Sequence, residues 1–212
     1  MNNTESFFTS YRPAIAGTKH MVSAGHYLAA HAGFEILESG GNAIDAGCAA
    51  GIALGVLQSE LVNVAGVAPI IIYHAESDKV ITISGLGTWP KRVDPSKFEK
   101  EFSGSIPENL LRTVVPAAPD AWITALELYG TKTFSDVARA AIRFASEGFT
   151  MYSLMASLIK DNLTSFQRWD STAEIYLPDG KPPTVGQLFV QSDLGKSLQY
   201  MVDEEHAAKG DR

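Results

Sequence analysis

Ala43-Ile44-Asp45-Ala46-Gly47-Cys48-Ala49-Ala50-Gly51-Ile52-Ala53-Leu54-Gly55-Val56-Leu57 is apolar on every side except at Asp45, with Gly47, Gly51 and Gly55 recurring every fourth residue. Such a run reads as a helix buried all round. It is too short and too often interrupted by glycine to span a bilayer, which needs roughly 20 apolar residues. Each glycine costs about 1 kcal/mol of helix propensity against alanine, so packing must offset the loss. In return, the small face lets another element approach closely.

Working outward from this helix, Ala29, Ala32, Gly33, Ile36 and Leu37 recur at helical spacing while Glu35 and Glu38 fall elsewhere, which predicts an amphipathic helix ended by Gly40-Gly41. On the other side, Ile70-Ile71-Ile72-Tyr73 and Val80-Ile81-Thr82-Ile83 flank the polar turn Glu76-Ser77-Asp78-Lys79, a hairpin signal. The first run is nearly continuous in apolar residues, so both of its faces are expected to be covered. Gly85-Leu86-Gly87-Thr88-Trp89-Pro90 follows as a loop. From Pro90 to Glu108 the chain is polar and reads as an irregular surface excursion.

Further on, helices are expected over Asp120 to Tyr129, stopped by Gly130, and over Phe134 to Glu147, opened by a Thr133/Asp136 capping box and closed by Gly148. Others are expected over Ser153 to Phe166 and Gln191 to Glu205. Ile175-Tyr176-Leu177 reads as a short strand and Pro178-Asp179-Gly180 as a tight turn. There is no internal repeat or low-complexity tract.

The 212 residues, with 45% hydrophobic and 19% charged side chains, are ordinary globular material for one domain or part of one. A net charge of -7 gives no basic field for phosphates, so nucleic acid and anionic membranes are poor partners. Met1 to Ser10 has neither a basic start nor an apolar run, and the expectation is a cytoplasmic protein. Cys48, the one cysteine, lies between Gly47 and Ala49 and reads as a buried small hydrophobe rather than a nucleophile. His20, His26, His31, His74 and His206 lack the spacing of a metal site, and neither metal nor cofactor is expected.

The order of these segments resembles the large-subunit N-terminus of the γ-glutamyltranspeptidase family, whose members are self-cleaving N-terminal nucleophile hydrolases. Val115-Pro116, Tyr129-Gly130, Glu147-Gly148-Phe149, Leu177-Pro178-Asp179-Gly180, Val185-Gly186 and Asp193-Leu194 follow the family in order. Each is weak alone. Collinear over nearly the whole chain, they carry the resemblance. It implies an α+β fold, a four-layer αββα sandwich built from two polypeptides cut from one precursor, with residues 1–212 as a single-domain fragment of the large subunit. The partners implied are a small subunit from the same precursor and a small-molecule amide substrate, with a dimer of heterodimers as an open possibility. The family's nucleophile is a threonine at the start of the small subunit, so no catalytic residue is expected in this chain. The chain also ends sooner than a family large subunit, at Lys209-Gly210-Asp211-Arg212.

The loop is where the chain departs from the family. The familiar pattern there is an Asp-Gly-Arg-Glu-Thr-Ala-Pro-like run whose arginine grips the substrate's α-carboxylate. Counting from Gly85 and Pro90, that place falls on Leu86. An arginine fork binds a carboxylate bidentately, whereas leucine offers only apolar surface. Leu86, Gly87 and Trp89 are therefore the expected substrate-binding residues. Trp89 reads equally as a pocket wall or a core anchor, and Lys91, Arg92 and Arg112 as replacement cations or solvated surface charges. A second departure is Asn63-Val64-Ala65-Gly66-Val67-Ala68-Pro69, where the family carries four consecutive glycines and only Gly66 remains. The leading expectation is an amidohydrolase with a partner-chain threonine and a substrate that is not γ-glutamyl. A true γ-glutamyltransferase or glutathione hydrolase with a relocated cation, and an inactive structural homologue, are the alternatives.

Overall fold

A computed structural model of the chain describes residues 14–208; Met1 to Ser10 and the Lys209 to Arg212 end lie outside the described residues. Its centre is α2 (Ala43–Leu57), with Ile52, Ala53, Val56 and Leu57 fully buried. Asn42 opens it, accepting the amides of Ile44 and Asp45 while the Asp45 carboxylate accepts the Asn42 amide at 2.8 Å. α1 (Tyr27–Glu38) lies along α2, and the two approach closely at Gly33, where a Cβ would stand 2.8 Å from the Ala46 carbonyl. The chain leaves α1 through Gly40, at φ 83°, the left-handed turn glycine favours after a helix.

The small face of α2 is used as expected in two places. Gly51 faces the Trp122 indole nitrogen, to which an added Cβ would come within 3.1 Å, and Gly55 faces Val64. α5 (Phe134–Glu147) covers another side of α2 and is itself covered by α9 (Ser192–Ala207). The capping box that opens α5 is present, with Thr133 Oγ1 accepting the Asp136 amide and Asp136 Oδ2 accepting the Thr133 amide. Glu205 of α9 binds the next free amides of α5, those of Phe134 at 2.7 Å and Ser135 at 2.9 Å.

β1 (Ile70–His74) and β2 (Lys79–Ile83) form the expected antiparallel hairpin. Ile70 pairs with Ile83 and Ile72 with Ile81 on the side turned to the helices, while Ile71 opposite Thr82 and Tyr73 opposite Val80 point away. Of the cover expected on both faces of β1, this chain supplies one: Ile71 is 75% exposed and Tyr73 65%. One layer of helices lies against this ribbon, with α4 (Ala118–Tyr129) touching β2.

Three expectations are corrected. The excursion after Pro90 contains α3 (Pro95–Phe102), capped by Asp94 and opened by Pro95 at its first position. Ser153 to Phe166 is two helices, α6 (Ser153–Asp161) and α7 (Leu163–Phe166), broken at Asn162. Ile175-Tyr176-Leu177 is not a strand; it closes α8 (Asp170–Tyr176), where the Leu177 amide donates to the Ala173 carbonyl and the Tyr176 ring packs between Phe166 and Phe189. Packing of the ring overrides the β preference of isoleucine and tyrosine. The strands found in this half of the chain are the two-residue β3 (Phe149–Thr150) and β4 (Leu188–Phe189), paired antiparallel and too short for any periodicity. Pro178-Asp179-Gly180 is a tight turn, as expected, with Asp179 at φ 57°.

Candidate functional site

The loop 85–90 is held from both sides by backbone bonds. The Ala68 amide donates to the Gly85 carbonyl at 2.9 Å, and the Val115 amide to the Thr88 carbonyl at 2.8 Å. Ala117 and Ala118 both donate to the Gly66 carbonyl at 3.1 Å, so segments 63–69, 85–90 and 114–118 are laced into one unit. Only glycine fits at two points of the loop. Gly85 has φ 52° and an added Cβ would lie 2.2 Å from the Ala68 carbonyl oxygen; Gly87 has φ 72° and a Cβ 2.4 Å from that of Val115. This lacing answers the second sequence departure. With Val64 seated against Gly55 and Gly66 accepting from two amides, the segment is fixed with one glycine.

Leu86 stands between the two glycines with 56% of its surface exposed. The loop thus presents an apolar side chain from a rigid backbone, the arrangement by which scaffolds carry sites. Trp89 is 39% exposed, and its ring lies against Phe98 of α3, with centroids 5.3 Å apart and planes at 34°. It is both anchored and accessible. Phe98 itself is 7% exposed and was absent from the sequence reading, although Asp94-Pro95 followed by Phe98 and Phe102 at helical spacing is a signal that would have found α3.

Of the replacement cations, Lys91 and Arg92 are exposed. Arg112 is turned to its own segment, 3.4 Å from the Ile106 carbonyl and 4.0 Å from the Glu108 carboxylate, which it shares with Arg168. Cys48 is buried, its thiol 3.8 Å from the Trp122 carbonyl. Burial, with the nearby Asp45 charge adding to it, pushes the thiol pKa up to about 12, so the thiolate needed for attack does not form near neutrality. The histidines are dispersed: His20 meets Glu38, His31 meets Glu35 and His74 meets Ser77. Among the described residues no three His, Cys, Asp or Glu side chains are placed to hold a metal ion, and no helix is long and apolar enough to cross a membrane.

A groove of about 450 Å³ runs between α2 and β1, lined by Gly47, Cys48, Gly51, Ile70, Ile72 and Trp122. It offers packing surface without a charged group to orient a ligand. At the far end of α2, the Tyr152 hydroxyl lies between two acceptors, the Leu57 carbonyl at 3.2 Å and the Glu60 carboxylate, and shares its one proton with them, which joins α6 to the turn after α2. Burial, then the hydrogen bond and charge of Glu60, raise the Tyr152 pKa, so this hydroxyl stays protonated and structural.

Comparison with known proteins places this geometry. Residues 29–208 match the family model described as Gamma-glutamyltranspeptidase. The chain is 30% identical over 195 residues to the glutathione hydrolase-like YwrD proenzyme of Bacillus subtilis, covering 92% of this chain and 37% of that protein. It is 32% identical over 207 residues to the Acylase ACY 1 proenzyme of Pseudomonas sp. (strain SE83), covering 93% of this chain and 37% of the relative. The solved gamma-glutamyltranspeptidase of Helicobacter pylori superposes with a TM-score of 0.85 at 26% identity, over 91% of this chain and 56% of that one. The chain thus spans little more than a third of the curated relatives it matches, 37% in both cases. A match over residues 29–208, carried through to the same fold, leaves one reading: the chain belongs to the gamma-glutamyltranspeptidase family.

Proposed function

We propose that the chain is the large-subunit part of a self-processing amidohydrolase whose substrate is a small-molecule amide without a γ-glutamyl group. The nucleophile in this reading is a threonine exposed by self-cleavage at the start of a second polypeptide from the same precursor, and its own α-amino group serves as base. The two polypeptides together complete the four-layer sandwich, in which residues 1–212 are one part of a single domain. The threonine hydroxyl passes its proton to the α-amino group as its oxygen attacks the amide carbonyl. Oxyanion-hole donors on the partner hold the tetrahedral intermediate, the C–N bond breaks and the amine leaves with that proton, and water hydrolyses the resulting ester to release the acid and restore the threonine.

The observation that carries the substrate reading is Leu86, exposed between two constrained glycines where the family pattern has its carboxylate-gripping arginine. A substrate carboxylate desolvated against leucine would have no partner there. The naming of ACY 1 as an acylase supports a non-glutamyl substrate, while the name of YwrD keeps glutathione hydrolysis, served by exposed Lys91 or Arg92, as the second reading.

The test uses the full-length precursor. It is expected to cleave itself and leave a threonine at the new N-terminus. Turnover of glutathione and γ-glutamyl-p-nitroanilide is expected to be feeble, since losing a buried charge pair costs about 2–5 kcal/mol, or roughly 30- to several-thousand-fold. Leu86→Arg is expected to weaken the native reaction, because the new charge meets an acyl group that cannot pair with it. Robust glutathione hydrolysis with a micromolar KM, or an unchanged kcat/KM in a processed Leu86→Arg enzyme, overturns the substrate reading. A residue other than threonine at the cleaved end overturns the mechanism.

A further inference from the structure

We propose that Phe98 is a positioning residue which, by seating α3 on Trp89, fixes the indole as a flat wall of the acyl site, and that the substrates are amides with a flat, uncharged acyl group, aromatic rings above all. The inference deepens the amidohydrolase reading and rests on it.

Apart from Pro95, Phe98 and Phe102, α3 is polar, with Ser96, Lys97, Glu99, Lys100 and Glu101, and Phe98 is its one buried side chain. Two aromatic rings lie beside it, Trp89 at 5.3 Å and Phe102, one turn on in the same helix, at 6.4 Å between centroids. The short link between Trp89 and α3 is itself folded. The Val93 amide donates to the Pro90 carbonyl, Asp94 accepts the Ser96 amide at 2.9 Å, and the helix closes with the Gly104 amide on the Phe98 carbonyl. Phe98 is therefore fixed at both the side chain and the backbone.

The consequence falls on Trp89. An unsupported indole on a loop loses rotamer freedom when a ligand stacks on it, whereas one already pressed against Phe98 has lost that freedom before binding. Its remaining 39% exposure leaves surface for a ligand. Leu86, three residues earlier, is exposed and apolar, and no charged side chain occurs from Gly85 to Pro90. A rigid aromatic surface and an aliphatic neighbour favour a flat apolar group by offset or edge-on stacking, and nothing in the loop favours a carboxylate.

The experiment uses the complete, self-processed protein and measures binding of phenylacetamide and acetamide by ligand-observed NMR, so turnover is not required. Phenylacetamide is expected to bind at least tenfold more tightly than acetamide. Phe98→Ala is expected to erode that preference about tenfold, while Phe98→Leu, which keeps an apolar anchor, retains most of it. Trp89→Leu supplies a second variant that leaves α3 its apolar contact and removes the flat surface; the same loss is expected. No preference in the unsubstituted protein, or a preference that stays unchanged in either Phe98→Ala or Trp89→Leu, including through equal weakening of both amides, overturns the proposal. Failure of the underlying amidohydrolase reading registers separately, as absent self-cleavage or robust glutathione hydrolysis, neither of which these binding measurements report.

Discussion

Asp45 is fully buried in a helix that is otherwise apolar, and its carboxylate is surrounded by donors. Oδ2 accepts the Asn42 amide at 2.8 Å and the Thr131 hydroxyl at 2.7 Å; Oδ1 accepts the amides of Thr131 at 2.9 Å and Lys132 at 3.1 Å. The one polar residue in the stretch that decides the fold therefore ties the start of α2 to the turn between α4 and α5. Four hydrogen bonds to a charged group compensate its desolvation, and removing the group leaves buried donors with no acceptor. Asp45→Ala is expected to cost about 3–5 kcal/mol, a large part of a domain's margin of about 5–15 kcal/mol. Asp45→Asn, which keeps one acceptor oxygen, is expected to cost less. Thermal unfolding of the complete protein measures both; an Asp45→Ala variant that melts within a degree or two of the parent would show that the turn finds other acceptors.

Among the elements, α1 shows how a cap couples stability to pH. His26 precedes the helix and its Nδ1 accepts the Leu28 amide at 3.2 Å, so the ring proton sits on Nε2. The ring is buried, stacked on Tyr27 and tilted against Tyr152 at 5.1 Å, and burial lowers its pKa from 6.5. Because the unfolded chain takes up this proton near pH 6.5 and the folded chain only at lower pH, the contribution is full above about 6.5 and is lost as pH falls through the folded value. His26→Asn keeps a capping acceptor and removes the titration. Its melting temperature is expected to fall less between pH 7 and pH 5 than that of the parent; parallel curves would assign the acid sensitivity elsewhere. Elements such as α2, α5 and the β1–β2 hairpin were legible in the sequence because spacing and caps act locally: fifteen apolar-patterned residues in α2, or Thr133 with Asp136, need no distant partner. α8 was not, since it is decided by where the Tyr176 ring packs; α3 carries a local signal in Asp94-Pro95 with Phe98 and Phe102, but its seat on Trp89 is not written in that pattern. The candidate site shows the same division. Leu86 and Gly87 could be placed by counting from Gly85 and Pro90, while the lacing of the loop to Ala68 and Val115 and the anchor under Trp89 join residues far apart in sequence.

For the molecule as a whole, one face of the hairpin is the feature with the largest consequence. Ile71, Tyr73 and Val80 point away from the helices, each at least 65% exposed, and Leu61, Val62, Val67 and Leu86 are exposed in the adjoining segments. Single exposed apolar residues are ordinary, but a β-ribbon with an apolar outer face, and with no further strand on its edges among the described residues, is a surface that proteins cover. Two relatives are named proenzymes and this chain spans 37% of their length; under the proposed function, the remainder of a precursor covers this face. The net charge of -7 opposes self-association and is spread over the whole chain, whereas the apolar face is local, so the face decides the outcome. Produced alone, residues 1–212 are expected to aggregate or to bind the dye ANS strongly; produced with the rest of the precursor, they are expected to copurify with it. Ile71→Lys separates the two roles of the face. It is expected to improve solubility of the chain produced alone by placing a charge on the exposed ribbon, and to impair copurification by burying that charge on assembly. A chain that is monodisperse alone and unfolds cooperatively, together with an Ile71→Lys variant that copurifies as well as the parent, would show that this face is solvent in the finished protein.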